Sequence, residues 1–156
     1  MSRVFDYIFQ TRMSFNPELG DQDCSSLNPS EAAVWYCFDV DSETVNGGFN
    51  QYFFNKSTRP VEPVLRAYAL VGAQDQARLF GRAVVERAHV AEAHERARSA
   101  GEKDAAKRLA AFSASYTDNP LNELDTAYYQ LPPKIDDIPI ADLRSHPDEF
   151  ACQPIA

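Results

Sequence analysis

Long apolar runs are missing from this 156-residue chain, and no stretch approaches the roughly 20 consecutive apolar residues of a membrane-spanning helix. The opening residues, MSRVFDYIFQ, also lack the uninterrupted apolar stretch of a secretory leader. A cytoplasmic protein with no membrane association is expected. Cysteine is scarce: Cys24, Cys37 and Cys152 form neither a CxxC nor a metal set, and their odd number argues against a disulfide framework. Cys37, among apolar neighbours, reads as a small core side chain. Histidine is scarce too. His89 and His94 stand five apart, off the i, i+4 spacing of a helical metal pair, and read as surface residues, while His146 has no partner in sequence. Glu86 and His89 make one Glu-x-x-His, whereas carboxylate di-metal bundles need two of them with two more inward glutamates. There is no Gly-rich phosphate loop, nucleophile elbow or Cys/His catalytic signature. The expectation is a protein that is not an enzyme, with no catalytic residue assigned, no metal and no cofactor.

Basic residues are outnumbered, with 15 Lys and Arg against 23 Asp and Glu for a net charge of -8. Residues 1–58 hold 8 acidic and 3 basic residues, residues 59–111 hold 7 and 10, and residues 112–156 hold 8 and 2. The chain is acidic at both ends and mildly basic in the middle, so it lacks the basic footprint that direct nucleic-acid binding requires. Its net charge is of the size that ordinary soluble proteins carry. Hydrophobic residues at 44% and charged residues at 24% exclude whole-chain disorder. The length fits one helical domain over residues 1–156, with a Pro-rich acidic tail from about residue 132.

Helical spacing dominates the chain. Val4, Phe5, Ile8 and Phe9 suggest an opening helix over 3–13, and residues 16–26 read as a loop. Asn28, Pro29 and Glu31 form a strong helix start for a segment of about 29–45, with Val34, Trp35, Phe38 and Val45 inward. Pro60 and Pro63 open a helix that buries Val64, Leu65, Tyr68 and Val71 and ends at Gly72. Residues 74–98 read as one long helix with Ala77, Phe80, Val84, Ala88 and Ala91 inward and Arg82–Glu86 and Glu92–Arg96 pairs outside. Gly101 ends it, and residues 102–116 give another helix with Ala105, Leu109 and Phe112 inward. Asp118-Asn119-Pro120 starts a last one carrying Leu121, Leu124, Tyr128 and Leu131 on one face, before Pro132-Pro133. No run alternates as a strand does. The fold class is therefore all-α or nearly so, an irregular bundle of about six or seven helices.

The densest information lies in VNGGFNQYFFN, residues 45–55. Gly47-Gly48 permits the positive φ that closes one helix, and Phe49, Tyr52 and Phe53 at i, i+3 and i+4 place three rings on one face of the next. Asn46, Asn50, Gln51 and Asn55 are left to cap the turn or to bond to a neighbouring helix. The stretch resembles the motif of the bacterial DNA-mimic protein family, carried here by Asn46, Gly47, Gly48, Phe49, Gln51, Tyr52, Phe53 and Asn55. A second family-like element is LNELDTAYY at residues 121–129. The likeness covers about half the chain, and its motif residues read as structural. It implies a helical dimer whose carboxylates imitate DNA phosphates and occupy the DNA-binding face of a helix-turn-helix transcription factor.

The physics of such mimicry is direct, because duplex DNA carries about one charge per 1.7 Å of axis and carboxylates at similar density compete for the same Lys and Arg. The candidate partner-binding acids are Asp39, Asp41, Glu43, Asp118, Glu123, Asp125, Asp136 and Asp137. Asp39, Asp41 and Glu43 fall near a helix C-terminus, where the dipole disfavours them and invites a compensating Arg or a functional reason. Two other functions stay open. One is an immunity-type protein that neutralises a partner without imitating DNA, and the other is an enzyme or small-molecule binder using the aromatic-amide corner. The first would show a compact patch with apolar anchors, the second a cleft with strongly perturbed titratable groups.

Overall fold

The computed structural model describes residues 27–100 and 104–131, together with the backbone of β1 (Ser14–Asn16) and β2 (Asp21–Asp23). The strands pair antiparallel with Phe15 opposite Gln22. Six helices follow among the described residues: α1 (Pro29–Asn55), α2 (Val61–Leu70), α3 (Gln74–Glu86), α4 (Ala88–Ser99), α5 (Ala105–Ala114) and α6 (Leu121–Tyr129). The class is nearly all-α, as expected. The hairpin within the expected loop is a correction: three-residue strands are too short for an alternation pattern to register. The expected opening helix, Gly101 and the tail from residue 132 lie outside the described residues.

The chain divides into two compact units, Met1–Asp41, Thr58–Ala77 and Leu131–Ala156 in the first and Ser42–Ser57 and Arg78–Gln130 in the second. In the first, α1 starts through a reciprocal capping box. Glu31 N–H donates to Asn28 Oδ1 at 2.9 Å and Asn28 N–H donates to Glu31 Oε2 at 3.0 Å, so each residue satisfies a backbone donor that the helix start leaves open. Asn28→Ala is expected to cost about 1 kcal/mol and to lower the melting temperature by a few degrees in a calorimetric scan. Val34, Trp35, Cys37 and Val40 are buried along the helix, and α2 buries Val64, Ala67 and Tyr68. α2 ends in a Schellman motif: Ala73 N–H reaches Tyr68 O at 2.8 Å, Gly72 N–H reaches Ala69 O at 3.3 Å, and Gly72 takes φ 73°.

Several side-chain assignments are corrected. Val45 is 58% exposed and Leu109 65% exposed, and α5 buries no residue. The expected long helix is two: Arg87 separates α3 from α4 by one tightened turn, in which Val90 N–H donates to Arg87 O at 3.2 Å. Neither Gly nor Pro marks the place. Phe80 is buried as expected, but the rest of the inner face is rotated by one residue. Gln76, Ala83, Val90 and Ala97 are buried at seven-residue intervals, while Ala88 and Ala91 are exposed and Ala77 and Val84 half-buried. The inner face holds Gln76 and His94, so it is less apolar than the stripe beside it and escapes a hydrophobicity reading. Glu86 pairs with His89 at 3.2 Å, and Glu92 pairs with Arg96 as expected.

Candidate functional site

The glycine pair cuts α1 into two limbs and leaves backbone groups open on both sides of the cut. Gly47 has φ -161°, ψ 28° and Gly48 has φ 73°, ψ 178°. The last carbonyls of the first limb lose their helical donors, and the first N–H groups of the second lose their acceptors. Side chains from around α6 replace them. Tyr129 Oη–H donates to Thr44 O at 2.7 Å and Tyr116 Oη–H donates to Gly47 O at 3.0 Å. Asp125 Oδ1 accepts from Phe49 N–H at 2.8 Å. Asp125 thus caps a helix start 76 residues away in sequence, with the favourable sign for its dipole. Burial pushes the Asp125 carboxyl above its usual value, although the Phe49 N–H bond pulls the other way. Burial likewise raises the Tyr116 and Tyr129 hydroxyls, with the Asp125 charge adding to both.

The two motifs that carry the family likeness are therefore each other's partners. Leu121, Leu124, Asp125 and Tyr128 fall at i, i+3, i+4 and i+7 and are buried together. Tyr128 meets Phe49 edge-on at 5.3 Å, and Phe80 collects Phe49, Tyr52 and Phe53 at 6.4, 5.5 and 6.2 Å. Such aromatic pairs add to the burial of their area. Below the rings runs a polar chain. Asn50 Nδ2 donates to Ser115 Oγ at 2.7 Å, Ser115 Oγ donates to Phe112 O at 2.6 Å, and Asn119 Nδ2 donates to Ser115 O at 2.9 Å. Because Asn50 donates through its nitrogen, its Oδ1 accepts from His94 Nε2 at 2.9 Å. His94 is 3% exposed, which corrects its reading as a surface residue, whereas His89 is exposed.

The acidic candidates separate into distinct environments. Asp39 is buried and ion-paired with Arg59 at 3.3 Å, and the Arg59 guanidinium also lies over the Tyr36 ring at 5.5 Å. Asp125 is spent on the cap described above, at 8% exposure. Asp41 is half-buried. Glu43 is half-buried, and its Oε2 accepts from Gln51 Nε2 at 3.1 Å and Asn55 Nδ2 at 2.7 Å. The motif amides therefore orient a carboxylate without neutralising it. Asp118, at φ 50°, and Glu123 are exposed. Asp136 and Asp137 lie outside the described residues. Of the remaining motif residues, Asn46 is exposed and Phe49, Tyr52 and Phe53 are buried, so the aromatic part of the corner is closed.

Sequence reasoning missed the roles of Asp125, His94, Tyr116 and Tyr129. A signal existed for the first: Asp125 occupies a core position of the Leu121–Tyr128 stripe, and a charge at such a position needs a buried partner. Among the described residues no group of three or more His, Cys, Asp and Glu could hold a metal ion, and no helix is long and apolar enough to cross a membrane. The first unit contains a groove of about 570 Å³ walled by Pro29, Ala32, Tyr36, Pro63 and Leu70, where Arg66 is the one charged side chain among the described residues.

Residues 25–146 match the family model described as DMP19-like protein. No curated protein and no solved structure matches the chain.

Proposed function

Because the chain belongs to the DMP19-like protein family, a family of DNA mimics, we propose that it is a cytoplasmic binding module that imitates DNA toward a basic, helix-turn-helix type DNA-binding protein and sequesters it. It acts by occupancy and performs no chemical step. The observation that carries this reading is the uneven neutralisation of its acids. Glu62, Glu86, Glu92, Glu95 and Asp104 each lie within 4.0 Å of a base three or four residues along the chain. Glu43, Asp118 and Glu123 have no such base among the described residues, and residues 109–133 contain no Lys or Arg at all. Carboxylates without local counter-charges present an unscreened field to an incoming cationic surface. Glu43 is in addition held in place by two motif amides, as a side chain that must match a fixed pattern of Lys and Arg would need to be.

The test uses the purified protein as bait in its native lysate at about 50 mM and about 200 mM salt, a range over which contacts with a phosphate-binding surface weaken steeply. A DNA-binding regulator should be retained at low salt and displaced by duplex carrying its own site. Asp118→Asn with Glu123→Gln should weaken that capture by about tenfold while leaving stability within about 0.5 kcal/mol, since both side chains are exposed. Capture that is insensitive to both salt and DNA, or of a partner with no DNA-binding surface, rejects mimicry in favour of a neutralising protein of another kind.

A further inference from the structure

We infer that the second unit holds a separate binding site for small organic oxyanions, a carboxylate on a compact apolar body, in a cavity between the end of α1 and the α3–α4 junction. The cavity, open to solvent on one side, has a volume of about 230 Å³ and is lined by Phe53, Val84, Ala88 and Ala91. Its lower bound is instructive, because a cavity of about 150 Å³ accepts a benzene ring. A ring or short branched chain with one carboxylate therefore fits.

Its polar wall is cationic in a chain of net charge -8. Arg87 and Arg98 both line it, eleven residues apart on one helical face with Ala91 and His94 between them. Each is parked on an aromatic ring: the Arg87 guanidinium lies 5.9 Å from the Phe53 centroid, and that of Arg98 lies 5.8 Å from Phe54. Among the described residues no carboxylate lies within 4.0 Å of Arg87. Glu95 approaches Arg98 only at Nε, at 3.6 Å, beyond hydrogen-bond reach. The forked N–H donors of both remain available, and that fork is the geometry that recognises carboxylates. Ser57 adds a hydroxyl to the wall. His94 also lines it, but its Nε2–H is committed to Asn50, so the two guanidinium groups and the Ser57 hydroxyl carry the recognition of the oxyanion.

The apolar lining explains a feature the fold leaves over. Val84, Ala88 and Ala91 form the apolar stripe visible in the sequence, yet they stand beside the buried face and not on it. A ligand's apolar body covers them. Shared residues with the acidic face are absent, so this site stands or falls apart from the mimicry reading.

Benzoate is the probe, titrated into the full chain while the His94 ring resonances are followed by NMR. A saturable shift is expected with benzoate, together with a rise of the His94 titration midpoint from about 4 as the ligand offsets the Arg98 charge that helps to hold it down. Neutral benzyl alcohol and cationic benzylamine should not reproduce it. Arg87→Gln and Arg98→Gln should each weaken benzoate binding about tenfold, the loss of one charge-assisted bond. Absence of a saturable shift, an equal shift with benzyl alcohol, a response to inorganic phosphate but none to benzoate, or unchanged affinity in the Arg87→Gln/Arg98→Gln double variant each overturns the proposal.

Discussion

Gly48→Ala is expected to cost about 4 kcal/mol of stability and to lower the melting temperature by roughly 10 °C, whereas Gly47→Ala should cost about 1 kcal/mol. The two glycines are adjacent, but only Gly48 (φ 73°, ψ 178°) lies in a backbone region that is essentially closed to other residues. A Cβ there would also stand 2.7 Å from Asp125 Cγ, which has no room to retreat without releasing the Phe49 N–H. Strain of about 1–3 kcal/mol thus adds to a buried donor left without its acceptor, at a further 1–3 kcal/mol. Gly47, at φ -161°, is in extended backbone that any residue adopts, and its Cβ would meet only Gln51, whose amide can swing aside at the cost of its bond to Glu43 and whose Cβ, at 3.0 Å, must give by a few tenths of an ångström. Thermal melts of both variants decide the matter. Equally small losses would show that the break tolerates a side chain and that the Asp125 cap does not fix its geometry.

That contrast marks where sequence reading reaches its limit. The glycine pair announces a helix break, and Asn28 with Glu31 announces a helix start, because both signals are local and their partners lie within a few residues. Nothing local says that Tyr116, Asp125 and Tyr129 supply the missing partners, since they come from 69 to 85 residues away. What can be read is a conflict: Asp125 and His94 are polar residues at core positions of their helices, and Asp39 is a neighbour of buried Val40. Asp39 and Asp125 pass as surface acids for mimicry when charge is counted, yet one is paired to Arg59 and the other caps α1. Counting charge overestimates the acidic surface, because it takes no account of burial.

The family likeness is legible for the same reason that it leaves the functional surface open. Its motif residues build the break: Gly48 and Phe49 take the Asp125 cap, and Phe49, Tyr52 and Phe53 fill the aromatic core. Only Gln51 and Asn55 reach outward to an acid, Glu43, that belongs to the proposed binding surface. A motif that specifies packing is recognisable across a family even where surface charge differs, and a fold does not by itself fix a function.

Acid is expected to weaken the fold through His94, with stability on the order of 3 kcal/mol lost as pH falls from about 6.5 to about 4. Burial first, and the Arg98 charge second, lower its pKa from 6.5 to about 4. Between those values the unfolded chain holds a proton that the folded chain refuses, so protonation draws the equilibrium toward unfolding. The contribution is fully present above about pH 6.5 and is gone below about 4. Asp125 has the opposite slope. Its raised pKa lets the folded state hold a proton longer than the unfolded state, so its contribution diminishes as pH rises above 3.8. His94→Gln separates the two, because glutamine can offer an N–H to Asn50 but does not titrate, and it leaves Asp125 in place. Urea midpoints of the native chain and the variant should diverge progressively between about pH 7 and pH 4, with the native chain losing more. Parallel curves over that range would mean that His94 keeps an ordinary pKa and that the Asn50–His94 bond is open to water.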